Sequence, residues 1–262
     1  MGKFPLSVII ITKNEEQRIA DSIASVAWAD DIIVLDDESQ DRTKDLAKNL
    51  GARVLERKMD VEGTHRNFGI QQGRHAWVLS LDADERVSPE LAEEIQKTIS
   101  GSPACNGYTI PIQSYLGDRW IRHGGWYPAA KLRLFLKEKF RYEDAEVHPR
   151  AFMPDPCGHL TKDIIHYSFR DFADFFRKLN NQTTLEAHKW LQDGRKMSTA
   201  IGLRKSLDRF FRSYVRKKGY KEGFLGFMMS FLGGLYQWMT YAKYWEMKNK
   251  VPGTSKDVCR KP

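Results

Sequence analysis

The chain has 262 residues, 41% of them hydrophobic, and a net charge of +8 at pH 7. That length and apolar content exclude a disordered chain and leave room for one large α/β domain with an appendage, or two modest domains. Three cysteines, Cys105, Cys157 and Cys259, are far apart, odd in number and without a CxxC pair, which excludes a disulfide framework or a zinc cluster and fits a reducing cytosolic compartment.

The opening run MGKFPLSVIIIT is too short for a signal sequence and meets charged residues at once, so it reads as a strand and secretion is not expected. Residues 7–12 form a continuous, largely β-branched run, the pattern of a parallel strand buried on both faces. It ends in the polar cluster Lys13-Asn14-Glu15-Glu16. A helix follows with Ile19, Ile23 and Val26 on one stripe, and residues 32–35 make a second buried strand ending in Asp36-Asp37-Glu38-Ser39. Asp41 is placed to cap a helix carrying Leu46 and Leu50, which stops at Gly51, and Val54-Leu55 is the third strand. A further helix is expected within residues 63–73. Residues 77–81 are another buried strand, stopping at Asp82-Ala83-Asp84-Glu85, and Ser88-Pro89-Glu90 starts the next helix.

Strands alternating with helices at this spacing predict βαβ units and an open parallel sheet, and several strands end in acidic or polar clusters. Open α/β sheets bind ligands at the carboxyl ends of their strands, so those clusters are the first place to look for a site. After Gly101 the texture changes to shorter strands at 108–110 and 131–135, separated by the Gly- and Trp-rich stretch 117–128.

From Asp171 the pattern is helical and basic, with 19 Lys/Arg against 8 Asp/Glu, whereas the preceding part carries 23 against 26. This asymmetry suggests a polyanionic surface as partner. Phe172, Phe175, Phe176 and Leu179 share one helical face. Leu203, Leu207, Phe210, Phe211 and Tyr214 share another, opposite Arg204, Lys205, Arg209, Arg212, Arg216 and Lys217. Residues 224–242 contain no charge, but Gly226, Gly233, Gly234 and several polar residues dilute them, so an interfacial or packed hairpin is expected rather than a membrane span.

Two carboxylates at a strand end, Asp82 and Asp84, suit a hard divalent cation that bridges phosphate oxygens. A DxD triplet alone is usually a solvated loop; the order of motifs gives it weight. Residues 7–16 (SVIIITKNEE), 32–43 (IIVLDDESQDRT), 65–69 (HRNFG), 77–85 (WVLSLDADE), 120–135 (WIRHGGWYPAAKLRLF), 146–149 (EVHP) and 166–169 (HYSF) together resemble the family-2 glycosyltransferases with the GT-A fold. The resemblance is to the bacterial subgroup that adds glucose to the inner core of lipopolysaccharide. It covers nearly the whole chain.

The resemblance implies an α/β fold with a Rossmann-like, mixed, mainly parallel sheet over residues 1–170, and a basic, aromatic helical extension over 171–262. It implies an inverting transfer from a nucleotide sugar, UDP-glucose first, to a heptose of a lipid-linked glycan, with Mg2+ or Mn2+ as cofactor. Thr12, Asn14, Glu15, Asp37, Arg66 and Asp82 would bind the nucleotide sugar, with Asp37 at the uracil and Arg66 at the base or diphosphate. Asp84 would be the principal metal ligand, Asp82 would lie near the ribose or metal, and His148 or His166 could complete the set. A carboxylate accepts the uracil imide hydrogen, and a planar guanidinium suits a diphosphate.

An inverting transfer also needs a base, and Asp144 is the first candidate with Glu146 the second. Many relatives carry VHE where this chain has Val147-His148-Pro149, so a role for that last acid does not transfer. Arg122, His123, Gly124, Gly125, Trp126 and Tyr127 are the expected acceptor loop, since paired glycines allow close approach and an aromatic face stacks on a sugar. The basic helix and the aromatic stretch after it suit peripheral attachment to an anionic leaflet at the cytoplasmic face of the inner membrane.

Two other readings remain at this point. One changes the acceptor to an undecaprenyl-linked sugar, a capsule precursor or a protein. The other is a non-catalytic nucleotide- or nucleic-acid-binding module. Against nucleic acid, the chain has no RNA-recognition or helix-turn-helix signature, and its strand-end acids would repel phosphates without a metal.

Overall fold

The computed structural model describes residues 3–101, 103–144, 149–153 and 157–249. The chain forms two units, one holding residues up to Trp120 together with Trp126–Ser168, the other holding Ile121–Gly125 and everything from Phe169 on.

In the first unit the strands and helices alternate as β1 (Phe4–Thr12), α1 (Ile19–Ser25), β2 (Ala29–Asp36), α2 (Thr43–Asn49), β3 (Arg53–Glu56), α3 (Glu62–Gln71), β4 (Trp77–Asp82), β5 (Glu85–Val87) and α4 (Pro89–Ile99). Then come β6 (Gly107–Ile110), β7 (Ile112–Leu116), β8 (Arg119–Trp120), β9 (Lys131–Leu136), β10 (Arg141–Tyr142), β11 (Ala151–Phe152), β12 (Gly158–His159) and β13 (Ile164–Phe169). The main sheet has the order β12-β6-β9-β4-β1-β2-β3. Strands β4, β1, β2 and β3 run parallel, and β9 runs antiparallel between β4 and β6. This is the mixed, mainly parallel sheet with flanking helices that the motif order implies. The strands β5, β13, β7 and β8 make a smaller sheet, and β10 pairs with β11.

The β-branched run earns its central position because both of its faces are covered. Alternate residues of β1 point to opposite sides: Val8 and Ile10 join Ile19, Ile23, Leu91 and Ile95, while Ile9 joins Ile33, Ile70, Val78 and Phe135. The start of α4 follows its sequence signal, with Ser88 Oγ accepting from Leu91 N at 3.2 Å and Pro89 at the first turn. The start of α2 differs from expectation. Arg42, not Asp41, is the capping residue, because Asp41 instead ties two loops together: it accepts from the Thr43 amide at 3.0 Å and, with its other oxygen, from the Glu16 amide at 3.1 Å.

The second unit contains α5 (Phe172–Gln192), α6 (Thr199–Phe211) and α7 (Gly223–Lys248), with a π-helical turn over Arg212–Arg216 and a 3-10 turn over Gly219–Glu222 between the last two. Asp171 caps α5 by accepting from Asp174 N at 2.7 Å. Ala187 and Trp190 of α5 pack with Tyr241 and Tyr244 of α7. Residues 224–242 lie in one uninterrupted helix packed against α5 and α6, and among the described residues no helix is long and apolar enough to cross a membrane. A glycine is required at 226, where a Cβ would run into the Gly219 carbonyl.

The apolar face expected on α6 is split. Phe210 and Tyr214 stack at 5.5 Å and meet Phe227 of α7 edge-on, whereas Leu203, Leu207 and Phe211 stay about half exposed, at 50%, 49% and 55%. The reason is helical phase: Gly202, Ser206 and Phe210 turn toward α7, as the Ser206 Oγ bond to the Gly234 carbonyl at 2.8 Å records, and the 203/207/211 row lies off that contact.

Candidate active site

Parallel pairing puts three strand ends side by side, since Thr12 is in register with Asp36 and Ile11 with Asp82. The chain adds β2 and β3 on one side of β1 and then β4 on the other, so the edge between β1 and β4 is a topological switch point. A crevice of about 220 Å³ opens there, lined by Ile11, Thr12, Lys13, Glu15, Asp37, Met59, Asp82, Ala83 and Asp84. Of the expected nucleotide-sugar residues, Thr12, Glu15, Asp37 and Asp82 are in the lining. Asn14 and Arg66 are not.

Asn14 is spent on loop geometry. It sits in the left-handed region at φ 54°, its amide donates to Ser39 Oγ at 2.8 Å, and its side-chain oxygen accepts from Gln40 N at 2.8 Å. With the Glu15 amide donating to Thr43 Oγ1 at 2.8 Å, these bonds lace the loop after β1 to the loop after β2. Asp37, buried in that second loop, accepts from Lys13 Nζ at 2.9 Å and from the Met59 amide at 2.7 Å, so both its oxygens are fixed in place.

Arg66 reaches the crevice through Asp82. Its Nη2 donates to Asp82 Oδ1 at 3.0 Å and its Nε to Glu62 Oε1 at 2.9 Å. The other oxygen of Asp82 accepts from Arg133 Nη2 at 3.0 Å, and the same guanidinium binds Glu85, while Glu85 Oε2 accepts from the Asp82 amide at 2.9 Å. Burial would raise the Asp82 carboxyl, but Arg66 and Arg133 together hold it well below the usual carboxylate range. Burial pushes Glu85 up despite Arg133. Arg133 and Glu85, absent from the sequence expectation, are the buried supports of the strand-end acid. The available signal was an arginine set between leucines in β9.

Asp84 is held more loosely, with Oδ2 3.7 Å from Arg18 Nη1 and Oδ1 3.3 Å from His166 Nε2. Burial disfavours a charged His166, yet the Asp84 contact outweighs it and raises the imidazole above its ordinary value. Among the described residues no group of three His, Cys, Asp or Glu side chains forms a metal shell by itself. Mg2+ and Mn2+ do not require one, since such ions are held by one or two carboxylates while substrate phosphates and water fill the remaining positions. Asp84, 14% exposed beside an imidazole, fits that demand, whereas both Asp82 oxygens already face guanidinium groups. His148 lies outside the described residues.

Asp144 is exposed in the loop after β10 and accepts from Thr64 Oγ1 at 3.1 Å. Asn67 of α3 clamps that arm through two bonds to Tyr142, donating to its carbonyl at 2.9 Å and accepting from its amide at 2.8 Å. Glu146, the second candidate base, lies outside the described residues.

The expected acceptor loop divides between the two units. Arg122, His123, Gly124 and Gly125 belong with the helical unit: Glu222 accepts from the amides of Arg122 and His123 at 3.2 and 3.0 Å, Gly124 N donates to the Lys217 carbonyl at 2.9 Å, and Ser213 Oγ donates to the Gly124 carbonyl at 3.0 Å. Gly124 and Gly125 both have positive φ, at 74° and 87°. Trp126 and Tyr127 belong to the first unit, where Tyr127 meets Trp120 edge-on at 5.2 Å and burial, then Asp163, raises its hydroxyl.

The family model for glycosyl transferase family 2 matches residues 7–161. An uncharacterized glycosyltransferase of Rickettsia typhi is 28% identical over 259 residues, covering 94% of this chain and 88% of its own length. The lipopolysaccharide core biosynthesis glycosyltransferase LpsC of Rhizobium meliloti is 24% identical over 251 residues, covering 93% of each chain. Among solved structures, S. aureus TarS 1-349 has a TM-score of 0.47 at 13% identity, covering 94% of this chain and 92% of that one.

Proposed function

This chain belongs to glycosyl transferase family 2, and from that premise we propose that it moves glucose from UDP-glucose, with inversion, to a heptose in the inner core of a lipid-linked glycan. The observation that carries the reading is the crevice at the carboxyl ends of β1, β2 and β4, which gathers Glu15, Asp37, and Asp82 with Asp84 from three separate sequence clusters. The similarity to a relative named for lipopolysaccharide core biosynthesis, over 93% of both chains, supports the acceptor class.

In this reading Thr12, Glu15 and Asp37 cradle the nucleoside, with a fixed carboxylate oxygen of Asp37 accepting the uracil imide hydrogen. Asn14 acts through the loop it braces. Arg66, oriented by Asp82 and Glu62, presents a guanidinium edge toward the diphosphate. Asp84 and His166 hold the divalent ion, with Asp82 and His148 as the remaining candidates. When bound, that ion offsets the charge of the departing diphosphate. The crevice is smaller than the roughly 300–1,000 Å³ of a typical small-molecule pocket, so it accommodates part of the donor. Asp144, or Glu146, takes the acceptor hydroxyl proton. Arg122, His123, Gly124, Gly125, Trp126 and Tyr127 remain the candidates for contacting the acceptor.

Residues 171–262 act as a membrane- and acceptor-associating segment at the inner face of the bacterial inner membrane. Their basic balance and the exposed Leu203, Leu207, Phe211, Phe224, Phe227 and Phe231 support peripheral docking on an anionic leaflet. A nucleic-acid partner has no comparable support.

The test is a panel of nucleotide sugars with Mn2+, followed by heptose-bearing lipid, undecaprenyl-linked sugar and protein acceptors. Turnover of UDP-glucose that depends on the heptose-bearing lipid is expected. Turnover only with another acceptor class, or none with any donor, overturns the assignment.

A further inference from the structure

The helical unit contains a second recess, of about 350 Å³, lined by Glu186 and Trp190 of α5, Arg195, Lys205, Asp208, Arg209 and Arg212 of α6 and the turn after it, and Gln237 of α7. Four cations face two carboxylates there. The volume falls within the roughly 300–1,000 Å³ range of small-molecule sites.

The recess is built around Trp190, which is only 2% exposed. Its indole nitrogen donates to Glu186 Oε1 at 2.7 Å, so one of the two acids is engaged. Two cations lie over its ring, Arg195 at 5.7 Å and Lys205 at 5.9 Å from the centroid. Arg195 is neutralised by Asp193 at 3.1 Å. Lys205, Arg209 and Arg212 have no ion pair among the described residues, and helical spacing sets them on neighbouring turns of one face. With Arg195 paired to Asp193, the three remaining cations outnumber the lining acids Glu186 and Asp208, so the recess keeps a net positive charge that an anion offsets and a neutral sugar would not. Guanidinium forks match the oxygens of a phosphate.

We propose that this recess binds a phosphate monoester, carried on a sugar or on a lipid headgroup, with Lys205, Arg209 and Arg212 as its ligands. The site shares no residue with the strand-end crevice, so it stands whether or not the glucosyl transfer reading does.

The test is calorimetric titration of the full chain at low ionic strength with glucose 6-phosphate and with glucose. Glucose 6-phosphate is expected to bind, glucose is not, and affinity falls as salt rises. The variant Lys205→Gln/Arg209→Gln/Arg212→Gln, checked by circular dichroism, weakens binding by about 100-fold. Arg209→Lys and Arg212→Lys, which keep the charge but lose the fork, bind more weakly than the native chain and more tightly than the triple-Gln variant, and Lys221→Gln, outside the recess, changes nothing. Leu207→Ser/Phe211→Ser also leaves it intact, which separates the recess from the apolar face. The source is read from vesicles containing phosphatidic acid: displacement of bound protein by glucose 6-phosphate assigns the lipid phosphate, and binding of glucose 6-phosphate without displacement assigns the sugar phosphate. Equal binding of glucose and glucose 6-phosphate, a folded triple-Gln variant with unchanged affinity, or no binding by the native chain overturns the proposal.

Discussion

Replacing Asp84 by Asn separates catalysis from folding. The amide keeps the volume of the carboxyl and leaves the backbone bond from Tyr167 N to the Asp84 carbonyl at 2.9 Å untouched. What disappears is a negative charge 3.3 Å from His166 and 3.7 Å from Arg18. Pairings this long and partly solvated contribute about 1 kcal/mol to stability, which lowers Tm by roughly 2–4 °C in a chain of this size class. Losing the principal ligand of a divalent ion removes several kcal/mol of leaving-group stabilisation, and about 4 kcal/mol corresponds to roughly 1,000-fold in kcat. The assay is the initial rate of UDP release with Mn2+ and acceptor, alongside calorimetric affinity for UDP with and without Mn2+. The native chain is expected to gain UDP affinity when Mn2+ is added, and Asp84→Asn to lose that gain. A variant turning over within about threefold of the native rate refutes the assignment. Loss of activity together with a Tm drop of more than about 10 °C would make Asp84 a structural residue.

Other expectations follow from the same contacts. Asp31 is buried and accepts from Ser7 Oγ at 2.8 Å, the Arg74 amide at 2.9 Å and Arg53 Nη1 at 2.7 Å; burial opposes its ionisation, but these donors hold its carboxyl below the usual range. Its contribution to stability is therefore present above the unfolded carboxylate value near about pH 4, and is lost as pH falls through the depressed folded value. Asp31→Ala should cost roughly 2–3 kcal/mol at pH 7 by urea denaturation, and a smaller loss at pH 3 than at pH 7 is the signature to look for. Gly226→Ala drives a methyl into the Gly219 carbonyl and should destabilise the helical unit by at least about 1–3 kcal/mol, read as a selective loss of amide protection in α6 and α7. Asp144→Asn should lower kcat by about 100-fold or more with little change in KM for the donor; unchanged kcat would pass the role of base to Glu146. Leu207→Ser/Phe211→Ser should weaken binding to anionic vesicles while leaving UDP affinity unchanged, and equal vesicle affinity would make the exposed apolar row an ordinary surface.

The elements best anticipated are those whose signal is local. A β-branched run such as 7–12 has few alternatives to a doubly covered strand, and Ser88-Pro89 starts a helix by chemistry contained within four residues. The crevice was foreseeable because parallel strands must end on one edge, so the acids after β1, β2 and β4 had to become neighbours. Less foreseeable was how each acid would be used. Asp82 faces Arg133 from 51 positions away, and Asp84 faces His166 from 82 positions away, so the two acids of one DxD meet different partners.

The sequence by itself determined the periodicities, the strand ends and the charge asymmetry, since these depend on neighbours within a few residues. Tertiary structure alone decided the partners: which oxygens of Asp37 and Asp82 are already occupied, that Asn14 braces a loop, and that Gly124 and Gly125 join the helical unit while Trp126 and Tyr127 do not. It also decided that Lys205, Arg209 and Arg212 line one recess with Trp190. Side-chain electrostatics act across space and not along the chain, so contacts between distant segments carry no spacing that a single sequence can display.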